Sequence, residues 1–124
     1  MKVLAVDNIL VPVGDLTAAR EFYGFRLGLR ARVDDPERDM ILFDTAPSSP
    51  GLLLHTAPVD GRGGAVGMRV WLEVEDVTET VTVLRARGVH PMGDPYWVGS
   101  GEAVELADPW GNVIGLTDYS GMEP

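Results

Sequence analysis

The sequence predicts an α+β domain built from two βαβββ units. A β-branched apolar segment, an Asp-capped amphipathic helix and three short apolar strands occur twice in the same order. Shifting the chain by 61 residues brings Val13-Gly14-Asp15-Leu16-Thr17 onto Val74-Glu75-Asp76-Val77-Thr78, and Arg26 onto Arg87. A chain of 124 residues can bury about two-thirds of its surface, enough for one real core and too little for two ordinary domains. The units are therefore placed at residues 1–60 and 67–124 of a single domain, joined by a Gly-rich linker containing Asp60-Gly61-Arg62-Gly63-Gly64.

Each element has a local cause. Residues 3–13 are apolar and β-branched and read as a strand, although Asp7, Asn8 and Pro12 interrupt it. Asp15 is an N-cap, and Leu16, Ala19, Phe22 and Tyr23 recur at helical spacing until Gly24 and Gly28 end the helix. Strands follow at 29–33, 40–44 and 52–56, parted by Asp34-Asp35-Pro36 and by the turn-rich run from Ala46 to Gly51. The second unit opens with a strand at 68–74. Asp76 caps the next helix, with Glu79 at capping-box spacing and Val77, Val81 and Leu84 as its apolar stripe, up to Gly88. Strands at 96–98, 102–107 and 113–117 complete it.

Composition narrows the function. With 10 basic and 19 acidic side chains the net charge is −9, which argues against nucleic acid and first of all favours solubility. No apolar run approaches the roughly 18 residues of a membrane span, and no signal-peptide core follows Met1, so a cytoplasmic location is expected. Zero Cys excludes thiol nucleophiles, disulfides and Cys-ligated metal. Ser48, Ser49, Ser100 and Ser120 lie in loops or the tail with no His evidently near, and Gly61-Arg62-Gly63-Gly64 lacks the setting of a phosphate loop.

The duplicated unit, with Asp15-Leu16 and Phe22-Tyr23 early, Glu75-Asp76-Val77 in the second copy and Asp108-Pro109-Trp110-Gly111-Asn112 near the end, resembles the vicinal oxygen chelate superfamily of glyoxalases, bleomycin-resistance proteins and extradiol dioxygenases. The resemblance covers nearly the whole chain. It implies that the units curl as a curved mixed sheet into a cup, that the concave face binds metal or ligand, and that the protein is a homodimer. In metal-dependent relatives four strand positions supply His and Glu. On this sequence they fall on Asn8, Leu54, Arg69 and Gly115, again separated by 61 within each pair. Leu and Gly offer no side-chain donor, and Arg brings a permanent positive charge, so that set fits no divalent transition metal. His55 stands beside Leu54 but one residue along a strand flips the face, and His90 follows the second helix. No metal, no cofactor and no catalytic residue are expected.

Residues able to line such a cup are Asn8, Phe43, His55, Arg69, Trp71, Glu73, Tyr96, Trp97, Glu105 and Trp110. Alternation from Arg69 sets Trp71 and Glu73 on one side, where Trp71 either stacks on a ligand or packs in a core or dimer contact. Tyr96 and Trp97, in a Pro- and Gly-punctuated stretch, form a site rim or an aromatic plug. Trp110, at the variable position of its turn, favours packing; Phe43 has an open register; Phe22 and Tyr23 belong to the core. Arg69 pairs with a ligand or bridges to Glu73 or Glu105, and Glu105 lines the cup or is solvated. The expected function is sequestration of an aromatic natural product of the bleomycin, anthraquinone or enediyne type, with acidity welcoming a cationic ligand. The alternative is a divergent lyase, isomerase or dioxygenase, and an orphan member binding a primary metabolite is the third.

Overall fold

A computed structural model describes residues 2, 4–56 and 68–122. The chain divides into two compact units, Met1–Gly64 and Ala65–Pro124. The expected Gly-rich linker lies outside the described residues. Each unit is a four-stranded mixed sheet with one helical segment on one face, so the fold is α+β with βαβββ order in both.

In unit 1 the strands are β1 (Asn8–Val13), β2 (Arg30–Asp35), β3 (Met40–Asp44) and β4 (Gly51–Thr56), in the order β1-β4-β3-β2. β1 runs parallel to β4, and the other neighbours are antiparallel. The first strand is shorter than its apolar run because its partner β4 starts only at Gly51, which pairs with Asn8. Asp15 caps helix α1 (Leu16–Ala19), its carboxylate accepting the Ala18 backbone N–H at 2.8 Å. Regular α-helix then gives way to π-helical turns over Arg20–Arg26, closed by Leu27 N–H donating to the Phe22 carbonyl. The wider turns accommodate consecutive core aromatics: Phe22 and Tyr23 are both buried and meet edge to face, centroids 5.1 Å apart. Arg20 donates two hydrogen bonds to Asp34, at 2.8 and 2.9 Å, tying this helix to the exposed edge strand β2.

Unit 2 repeats the plan with β5 (Arg69–Glu73), α2 (Val77–Ala86), β6 (Tyr96–Trp97), β7 (Glu102–Ala107) and β8 (Val113–Thr117). The order is β5-β8-β7-β6, and β5 is parallel to β8. Asp76 caps α2, accepting the Glu79 N–H at 2.9 Å, and the helix buries Val77, Val81 and Leu84. Gly88, at φ 83°, ends it in the left-handed conformation that favours glycine.

Two carboxylates hold unit 2 together. Asp108 accepts the backbone N–H groups of Trp110 and Asn112 and the Asn112 side-chain amide, and Asn112 Oδ1 accepts the Met68 N–H. The Asp-Pro-Trp-Gly-Asn motif therefore anchors the start of β5 to the turn before β8. Asp118 is 2% exposed and accepts N–H bonds from Val77 at 2.8 Å, Glu102 at 2.9 Å and Ser120 at 3.2 Å, plus the Ser120 hydroxyl at 2.7 Å. It fastens the α2 N-terminus, the start of β7 and the C-terminal segment to one point. Those donors favour the ionised form and lower its pKa from 3.8 to about 2, against the opposing effect of burial.

Because the folded carboxyl is the stronger acid, its contribution of about 2 kcal/mol is complete above about pH 4 and is lost as pH falls toward 2. Asp118→Asn should cost about 2–4 kcal/mol near neutral pH, since one buried donor then faces an amide in place of a carboxylate. Urea unfolding of both proteins between pH 2 and 7 checks this. The difference between them must shrink on acidification; a constant difference would refute the role of ionisation.

Candidate functional site

Strand alternation gives each sheet a helix-covered core face and an opposite, open face. In unit 1 the core face carries Val11, Val13, Ile41, Phe43, Leu52 and Leu54. Phe43 is 1% exposed, its ring 6.1 Å from that of Tyr23. Its expected place on the ligand face is thus corrected: the register sends it under the helix. Leu54 is buried beside it, so the position equivalent to Gly115 is Leu53. The pairing settles this, because Leu10 faces Leu53 in β1–β4 as Trp71 faces Gly115 in β5–β8. The 61-residue offset holds for β1 and β5, but becomes 115 − 53 = 62 for β4 and β8. The same correction brings His55 onto the open face, exposed and aligned with Pro12 and Met40. Asn8 shares that face, half-buried, and donates to Asp7. Leu10, Leu42 and Leu53 join them as an aliphatic surface that sequence reasoning missed. Alternation from Asn8 would have found Leu10; nothing local marks Leu53.

The open face of unit 2 is richer. β5 contributes Arg69, Trp71 and Glu73, all exposed. Their neighbours on β8 are Val113, Gly115 and Thr117, followed on β7 by Ala107, Glu105 and Ala103, with Tyr96 of β6 beside Ala103. The benzenoid ring of Trp71 occupies the space that a Cβ on residue 115 would need, yet the residue stays 46% exposed. Glycine at 115 is what lets the indole settle on the sheet. Next to it, Glu105 Oε2 pairs with Arg69 Nη1 at 2.9 Å, while Oε1 accepts the Tyr96 hydroxyl at 3.1 Å. Lost solvation around the Tyr96 phenol, and then the carboxylate it donates to, raise its pKa above the ordinary value, so it remains a donor at neutral pH. Arg69 is accordingly a bridge to Glu105 rather than to Glu73.

Two expected residues stand elsewhere. Trp97 alternates away from Tyr96, and its ring sits where a Cβ on Gly121 would be. Trp110 is half-buried in the turn before β8, outside the strands that carry the face. A cleft of about 510 Å³ in unit 1, lined by Arg30, Arg32, Asp44 and Ser48 among others, contains none of the expected residues.

With the β4 register corrected, the positions where the resemblance implies metal ligands are Asn8, Leu53, Arg69 and Gly115, and their chemistry does not fit a transition-metal site: one weak neutral donor, two side chains with none and one cation. Among the described residues no three His, Cys, Asp or Glu converge as a metal-binding cluster.

The family model described as Glyoxalase/Bleomycin resistance protein/Dioxygenase superfamily matches residues 5–116. The chain belongs to this superfamily. Among solved structures it is similar to TnmS3, an antibiotic binding protein from Streptomyces sp. CB03234, with 29% identity, a TM-score of 0.82 and coverage of 97% of this chain and 99% of that one. A glyoxalase/bleomycin resistance protein from the same organism is 30% identical, with a TM-score of 0.72 over 90% of this chain and 99% of that one. UcmS2 shares the fold at 22% identity and a TM-score of 0.81, covering 94% and 98%. No curated protein matches the chain. No helix among the described residues is long and apolar enough to cross a membrane.

Gly115→Ala should displace the Trp71 indole, costing about 1–3 kcal/mol of stability by overpacking and shifting tryptophan emission to longer wavelength. In a Trp71→Phe background the emission shift should vanish. An unchanged emission spectrum in the single variant would show that the ring does not depend on glycine.

Proposed function

We propose that this superfamily member is a non-catalytic small-molecule binding protein that sequesters an aromatic natural product. The carrying observation is the seating of Trp71 on Gly115, which makes the glycine the floor under an open indole. A sheet face of rigid strands holds the ring, so little side-chain order is lost when a planar ligand stacks on it. Tyr96, 43% exposed and fixed by Glu105, adds a second aromatic surface on the same face. The likeness to TnmS3, an antibiotic binding protein, supports the same reading. Bleomycin, anthraquinone and enediyne types are the ligand classes proposed. The net charge of −9 supports a cationic ligand among them.

Titration of tryptophan fluorescence against a panel of these antibiotics tests the proposal. At least one should quench saturably, and Trp71→Ala should weaken that binding by about 1–3 kcal/mol, the range of buried aromatic contacts. A loss under about 0.3 kcal/mol, far below that range, would assign Trp71 to packing alone. Elemental analysis of freshly purified protein should find no stoichiometric transition metal held by side chains. Finding one would favour the divergent-enzyme alternative.

A further inference from the structure

Charge on the open face of unit 2 is unevenly spent. Arg69 is neutralised by Glu105, and both oxygens of Glu105 are occupied, one by Arg69 and one by the Tyr96 hydroxyl. Glu73 is different. It is exposed on the same face, two residues beyond Trp71, and among the described residues it makes no ion pair or side-chain hydrogen bond. Its neighbour across the β5–β8 pair, Thr117, turns its hydroxyl toward the Glu102 carbonyl on β7. One cation and two carboxylates leave the face with a net charge of −1, and that charge sits at Glu73.

Two steps along a strand separate Trp71 from Glu73 by about 6–7 Å. That is the distance between a ring stacked on the indole and an ammonium one short tether away. A cation placed there meets a carboxylate on one side and is attracted by the indole on the other. A carboxylate-bearing ligand would meet repulsion at the same point, because Arg69 is already engaged by Glu105.

We propose that Glu73 is a specificity-determining residue: it receives a protonated amine carried on a short tether from the aromatic part of the ligand, so the site selects aromatic amines over neutral or acidic analogues. This rests on the reading of the Trp71 face as a ligand platform, which the test separates from it.

Three naphthalene probes share one ring and differ in charge: 2-(1-naphthyl)ethylamine, its N-acetyl derivative and 1-naphthylacetate. Binding at neutral pH is followed by tryptophan quenching. The amine should bind at least tenfold more tightly than the acetylated probe, and the acid more weakly still. Glu73→Gln should abolish the preference for the amine and leave the acetylated probe within twofold. Glu75→Gln, an equal loss of charge off the strand, should keep the preference. Equal binding of amine and acetylated probe by the parent protein overturns the proposal, as does a preference that survives Glu73→Gln or disappears in Glu75→Gln. If Trp71→Ala leaves all three probes unaffected, the ligand platform itself fails, whatever Glu73 does.

Discussion

Parallel pairing of the first and last strands decides what each unit can present. In unit 2 the pairing of Trp71 with Gly115 places the largest side chain of β5 over the smallest residue of β8. Everything on the open face follows from that contact. The indole settles over β8; Glu105, next to Gly115 on β7, holds Arg69 and Tyr96 beside the ring; Glu73 is left alone at the far end. A slip of one residue would put Ile114 or Leu116 there instead and turn the tryptophan's neighbours into core.

Carboxylates with no part in the proposed binding keep that register in place. Asp118 gathers donors from α2, β7 and the C-terminal segment, and Asp108 with Asn112 clamps the start of β5 to the turn before β8. Such charges are tolerated inside because each carboxylate oxygen accepts at least one hydrogen bond; an unpaired charge would cost several kcal/mol. Among the described residues no buried side-chain nitrogen or oxygen is left without a partner. The acidity of the chain is thus divided. A few buried or paired carboxylates shape the fold, and exposed ones such as Glu73 are free to act on a ligand.

Much of the fold was legible because its causes are local. Asp15 and Asp76 cap helices through backbone groups three residues away, and short apolar runs between turn residues mark β3, β4, β7 and β8 almost to the residue. Arg69, Trp71 and Glu73 were found together by strand alternation, an equally local pattern. Phe43 and Leu54 were misplaced, Trp97 was left open between a site rim and an aromatic plug, and Leu53 and the liberating effect of Gly115 were missed. Their faces depend on pairing between distant strands, which no local pattern encodes.

Residue counts in the loops show why. Leu10 and Trp71 are 61 residues apart, but their counterparts Leu42 on β3 and Glu105 on β7 are 105 − 42 = 63 apart, and the loop 45–50, one residue longer than 108–112, brings the offset to 62 at Leu53 and Gly115. The sequence alone determined two βαβββ units, their caps and an acidic surface. Only the tertiary structure decided which of Leu53 and Leu54 meets the open face, where each aromatic ring points, and that Gly115 makes room for Trp71. Secondary structure answers to neighbours a few residues apart; the composition of a sheet face answers to register, and register is set by strands that meet only when the chain has folded.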